Sequence, residues 1–146
     1  MIGCILTGHG SFAPGMMGAV EMIAGPQELF EVVSFQEEEA LEVFEEKMEK
    51  AIKKLLDSSD GVVIFSDLLG GTPFRTAMLA ASERENAEVL AGTNLPLLIE
   101  GSGLRCGADS AKEFVSMILE VGRSGLVHAQ LELSEETDNE FEEEGI

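Results

Sequence analysis

The chain opens on MIGCILTG, a nearly continuous apolar run of the kind that forms a strand covered by helices on both faces. A helix is predicted over Ser11–Ile23, with Pro14 tolerated in its first turn and Gly25-Pro26 as its stop. Leu29–Phe35 reads as a second strand. The clearest helix follows, where Leu41, Phe44, Met48, Ile52 and Leu55 recur at spacings of three and four and Glu and Lys occupy the other face. GVVIFSD, Gly61–Asp67, is the strongest buried-strand pattern, and the next helix is expected to start near Pro73. Ala87–Thr93 reads as a fourth strand, Asn94–Glu100 as a short helix and Ser110–Arg123 as a longer one. The last pattern is different. LVHAQLEL alternates, placing Val127, Ala129, Leu131 and Leu133 on one face, which suits a half-exposed antiparallel edge strand with Gly125 as a hinge before it.

Strands alternating with helices at these spacings imply an α/β fold: a doubly wound, mostly parallel sheet of four parallel strands plus an antiparallel C-terminal edge strand, flanked by helices. In such sheets ligands collect at the C-terminal ends of the strands, near the switch in strand order. His9 follows the first strand, Asp67 closes the third and Thr93 closes the fourth, so these three polar residues are expected to share one edge.

Composition narrows the classes. The 146 residues fit one domain with a core of Val, Ile, Leu, Met and Phe. Nine basic against 28 acidic residues give a net charge of −19, which opposes nucleic acid and anionic lipid as partners. Two cysteines, Cys4 and Cys106, and two histidines show no metal-ligand spacing, so no metal and no cofactor is expected. Met1 leads straight into the first strand and no apolar run reaches membrane-spanning length, so a cytoplasmic protein is expected. Residues 134–146 read as an acidic tail beyond a domain spanning 1–133.

The candidate chemistry centres on His9, set between Gly8 and Gly10 with space around its ring. A neutral imidazole is a nucleophile only through an unprotonated ring nitrogen. A carboxylate that accepts a hydrogen bond from Nδ1–H leaves Nε2 in that state, and Asp67 is the carboxylate the topology brings beside His9. Two helix starts lie nearby, at Gly10-Ser11 and at Gly71-Thr72 within GGTP, where Thr72 is expected as an N-cap. Their free N–H groups and partial positive charge suit a phosphoryl group carried on Nε2. His128, on the polar face of the last strand, is assigned no role. A P-loop and a G-x-S-x-G nucleophile turn are both missing.

TGHGSFAPGM, FSDLLGGTPF and AGTNLPLLIE, in that order, resemble the enzyme IIA component of the mannose family of the bacterial phosphoenolpyruvate-dependent sugar phosphotransferase system. The similarity runs from Met1 to about Leu133. The resemblance implies a cytosolic phosphocarrier that accepts a phosphoryl group from the histidine-containing phosphocarrier protein and passes it to a IIB domain, which serves the membrane permease (IIC/IID). His9 matches the phosphorylated histidine, Asp67 its orienting aspartate, and Thr72 a small hydroxyl residue near the phosphoryl group. The resemblance also implies a homodimer exchanging its last strand, here Leu126–Leu133. GSGLRCGADS, Gly101–Ser110, departs from the pattern as a long glycine-rich loop.

Two other readings share the fold: the phosphoryl-donor subunit of a dihydroxyacetone kinase, and a phosphorylation-responsive regulatory domain, which the lack of a DNA-binding or ATPase segment opposes. A histidine phosphatase would need arginines around the phosphate, and Arg75 alone is near.

Overall fold

The computed structural model describes residues 1–132. Four strands, β1 (Gly3–His9), β2 (Phe30–Phe35), β3 (Val62–Ser66) and β4 (Ala87–Ala91), form one sheet in the order β2-β1-β3-β4, every pair parallel. Five helices flank it: α1 (Phe12–Ala24), α2 (Leu41–Leu56), α3 (Gly71–Ser82), α4 (Leu95–Leu104) and α5 (Ala111–Ser124). The α/β sheet with four parallel strands is as the pattern predicts.

The sheet divides two cores. Cys4, Leu6, Val63 and Phe65 pack against Ala13 and Val20 of α1, Leu97 and Leu98 of α4 and Phe114 and Ile118 of α5. Ile5, Val33, Val62 and Ile64 point to the other face and meet Phe44, Met48, Ile52 and Leu55 of α2 and Ala77 and Ala81 of α3. Strand residues thus alternate between two apolar layers, which is why β1 and β3 read as unbroken hydrophobic runs. The chain leaves β1 toward β2 on one side and returns across it to β3, so the switch point lies between β1 and β3.

The structure differs from the sequence reading in several places. Helix α3 begins at Gly71, with Gly70 as its cap residue, so Thr72 lies inside the first turn and is not the N-cap. Helix α4 runs through Gly101 and Gly103 to Leu104, where the pattern predicts a loop. A Cβ on Gly101 would stand 3.2 Å from the Phe114 ring, so this glycine lets α5 approach α4 and does not break the helix. Residues 126–132 join no strand of this chain's sheet and are exposed, and Leu133 and the acidic tail lie outside the described residues. Gly125 has φ −73° and ψ −15°, an ordinary helical conformation. Its glycine character serves space: a Cβ would meet Asn94 Nδ2 and Pro96 Cγ, each at 3.0 Å.

Candidate functional site

His9 is the last residue of β1, and Asp67 directly follows β3, its neighbour in the sheet. The chain turns sharply after each. Gly10 takes φ +57° and donates its N–H to Phe35 O at 2.8 Å, which turns the backbone from β1 into α1. Gly70 and Gly71, at φ +118° and +79°, turn the chain from β3 into α3.

The His9 backbone N–H and its ring Nδ1 both meet Asp67 Oδ2, at 2.9 and 2.8 Å. The other carboxylate oxygen, Oδ1, accepts the Leu68 N–H at 2.9 Å. An ionised carboxylate can only accept, so Nδ1 carries the proton and a neutral ring keeps its lone pair on Nε2. Burial pushes the Asp67 carboxyl upward, but the hydrogen bonds from the His9 amide and ring and from the Leu68 amide outweigh it and hold its pKa below the ordinary value. The Asp67 side chain is 9% exposed whereas that of His9 is 47% exposed. The orienting group is therefore covered while the ring stays open to an approaching reactant.

The far side of the ring faces the start of α3. A Cβ on Gly71 would lie 3.2 Å from Nε2, so the start of α3 has no room for a side chain at this position beside the free nitrogen. Gly10 and Ser11 sit at the start of α1 after His9, and among the described residues neither the Ser11 nor the Thr72 hydroxyl caps its helix. The Phe35 ring stands edge-on to His9, centroids 6.1 Å apart at 77°, and leans on Phe44 behind it. Thr93 is buried and donates from Oγ1 to Ser66 O at 2.7 Å, fixing the peptide that precedes Asp67. A 230 Å³ groove between α2 and α3, walled in part by Leu41, Thr72, Arg75 and Leu79, opens beside this edge, but His9 and Asp67 do not line it.

The expected residues thus converge: His9, Asp67, Gly10, Ser11, Gly71 and Thr72 all lie at the C-terminal edge of β1 and β3. Sequence reasoning missed Phe35 and Leu68. Phe35 pairs with His9 in the β1–β2 register, a signal available once the two strands are aligned at their C-terminal ends. The Leu68 contact is a backbone one, which side-chain identity does not reveal.

A family model described as "PTS system fructose IIA component" matches residues 3–119. The chain is 34% identical over 125 residues to the mannose-specific EIIAB component of the phosphotransferase system of Escherichia coli K12, covering 86% of this chain and 38% of that protein. It is 32% identical to the fructose-specific EIIA component of Bacillus subtilis 168, over 72% of this chain and 71% of that one. Among solved structures, the mannose/sorbose-specific IIA subunit of Enterococcus faecalis superposes with a TM-score of 0.79 at 27% identity, covering 90% of this chain and 98% of the other. The chain therefore belongs to the mannose/fructose family of phosphotransferase-system IIA components.

Proposed function

We propose that this chain is a phosphocarrier that receives a phosphoryl group on His9 Nε2 from the histidine-containing phosphocarrier protein and gives it to a IIB domain, supporting sugar uptake through a membrane permease. The observation that carries the reading is the double hold of Asp67 Oδ2 on His9, which commits Nδ1 and leaves Nε2 facing the start of α3.

In the forward step the Nε2 lone pair forms the N–P bond as the bond from phosphorus to the donor's nitrogen breaks. Charge on the His9 ring rises as that bond forms, and Asp67 stabilises it through the Nδ1 hydrogen bond. The three phosphoryl oxygens would lie against the first-turn N–H groups of α3 at Gly71-Thr72 and of α1 after Gly10-Ser11. The reverse sequence, with a IIB group attacking phosphorus, discharges the ring. This chemistry is carried by side chains and backbone alone and calls for neither metal nor cofactor.

Exposure supports protein partners over a small-molecule substrate. The His9 ring is open, and Leu68 and Leu69 beside it are 48% and 77% exposed, an apolar rim suited to a docking protein surface. No described helix is long and apolar enough to cross a membrane, and a cytoplasmic site of action follows from the proposed role.

We also propose that two chains associate by exchanging Leu126–Leu133. Leu126, Val127 and Leu131 are 90%, 69% and 67% exposed in the single chain, and the sheet ends in edge strands that a second copy would cover.

The test is phosphorylation by phosphoenolpyruvate in the presence of the general phosphotransferase enzyme and the histidine-containing phosphocarrier protein, followed by transfer to purified IIB domains. Label that appears on the wild type and not on His9→Ala supports the reading. Equal label on both overturns it.

A further inference from the structure

We propose that Phe12 is a positioning residue for the His9–Asp67 pair: its ring occupies the space that Gly8 leaves without a Cβ and holds the carboxylate against His9. This rests on the reading of His9 as the phosphoryl acceptor.

A Cβ built on Gly8 would lie 2.7 Å from Phe12 Cδ1, 2.9 Å from Asp67 Cγ and 3.0 Å from Asp67 Cβ. One point in space thus lies within 3.0 Å of both the phenyl ring and the Asp67 side chain, so the two come close together over a bare stretch of β1. Gly8 is buried and belongs to the strand itself, and its missing side chain is what gives both groups room.

Phe12 opens α1, directly after the turn at Gly10, and is half-buried against the core cluster that holds Cys4, Leu6 and Phe65. Its ring is therefore anchored from below. The neighbours of Asp67 account for its burial unevenly: the polar contacts come from His9, Leu68 and, at 3.4 Å, the Ser66 hydroxyl. Phe12 supplies an apolar wall. A carboxylate hydrogen bond shielded from water is stronger than an exposed one, and a walled carboxylate has fewer positions to occupy. Both effects bias His9 toward the Nδ1–H tautomer that the transfer requires.

The proposal predicts a coupled pair. Gly8→Ala with Phe12 in place overfills the site, whereas Gly8→Ala with Phe12→Ala has room for the new methyl group. The measurement is the ¹⁵N chemical shifts of the His9 ring in the full, unphosphorylated chain, which report the tautomer without any partner protein, together with the phosphorylation rate. The wild type and Phe12→Leu should show the Nδ1–H pattern. Phe12→Ala should move toward the mixture of a free imidazole and be phosphorylated about tenfold more slowly. Gly8→Ala should be worse than the double variant by severalfold. A merely structural Phe12 would lower stability and leave the ring shifts in place. Unchanged ring shifts in Phe12→Ala, or additive effects of the two substitutions, would overturn the proposal. Altered shifts with no labelling of His9 in the wild type would instead fault the phosphocarrier reading.

Discussion

Gly71 stands so close to His9 that a Cβ on it would lie 3.0 Å from the ring Cε1 and 3.2 Å from Nε2. Gly70 beside it has nothing within 4 Å of its own Cβ position, although both residues have positive φ. The two glycines therefore separate backbone strain from crowding of the ring. Either substitution to Ala should cost on the order of 1–3 kcal/mol of stability. Gly71→Ala alone should also lower the phosphoryl-transfer rate, by about tenfold or more, because its methyl group occupies the approach to Nε2. Thermal unfolding and single-turnover transfer on both variants check this, and equal rates would place the ring's reactive side elsewhere.

Asp67→Asn keeps the side-chain shape but offers its amide N–H₂ to a ring nitrogen as readily as its oxygen, so the tautomer is no longer fixed. Transfer should fall by roughly 10²- to 10⁴-fold, as expected when a catalytic imidazole is held in the wrong tautomer. The acid limb of stability should change too. The folded Asp67 pKa is lowered from 3.8, so its contribution is present above that value and is lost as pH falls through the folded pKa. The wild type should therefore lose more stability than Asp67→Asn over that interval. An identical acid-unfolding profile in the two proteins would show that the carboxylate gains nothing from His9.

At the opposite end of the sheet Arg105 is 2% exposed. Its guanidinium donates to Ile2 O at 3.3 Å, Leu29 O at 3.2 Å, Gln27 Oε1 at 3.3 Å and Glu28 O, and it lies 5.7 Å from the centroid of the Phe30 ring. These partners precede or begin β1 and β2, so one side chain ties the starts of both strands to the end of α4. Arg105→Met fills similar space but orphans several carbonyls. It should destabilise the protein by about 2–4 kcal/mol while leaving the His9 ring shifts untouched. Chemical denaturation checks the first half and NMR the second.

What the sequence revealed and what it concealed follow from the range of the interactions. Helix α2 was legible because its buried residues, Phe44, Met48, Ile52 and Leu55, repeat with the helical period. His9 and Asp67 were legible because strand ends converge in a parallel sheet. The extent of α4 was not, because Gly101 and Gly103 read as loop residues until the Phe114 ring beside Gly101 is seen. Thr72 reads as an N-cap by residue type, yet the positive φ values of Gly70 and Gly71 start the helix earlier. Arg105 sits in a stretch that reads as a glycine-rich loop, and its burial depends on carbonyls far along the chain.

Residues 126–132 make the proposed dimer testable. Asn94 accepts the Leu97 N–H through Oδ1 and donates to Gly122 O at 2.8 Å through Nδ2, so the start of α4 sets the end of α5 and the direction in which the segment leaves. A chain ending at Gly125 should lose the exchanged strand and sediment as monomer or aggregate, while the full chain sediments as a dimer at micromolar concentration. Gly125→Ala, pressed against Asn94 and Pro96, should weaken the dimer without abolishing it. A full-length monomer would refute association, and a dimer that survives the truncation would refute exchange.

The proposed phosphocarrier role requires a bond from phosphorus to Nε2 of His9. ³¹P and ¹⁵N NMR of the chain phosphorylated from phosphoenolpyruvate test it most directly. One phosphorylated histidine is expected, modified at Nε2 with Nδ1 still protonated and bonded to Asp67, acid-labile and base-stable, and absent from His9→Ala but present in His128→Ala. A phosphoryl group on Nδ1, or on any residue other than His9, would contradict it.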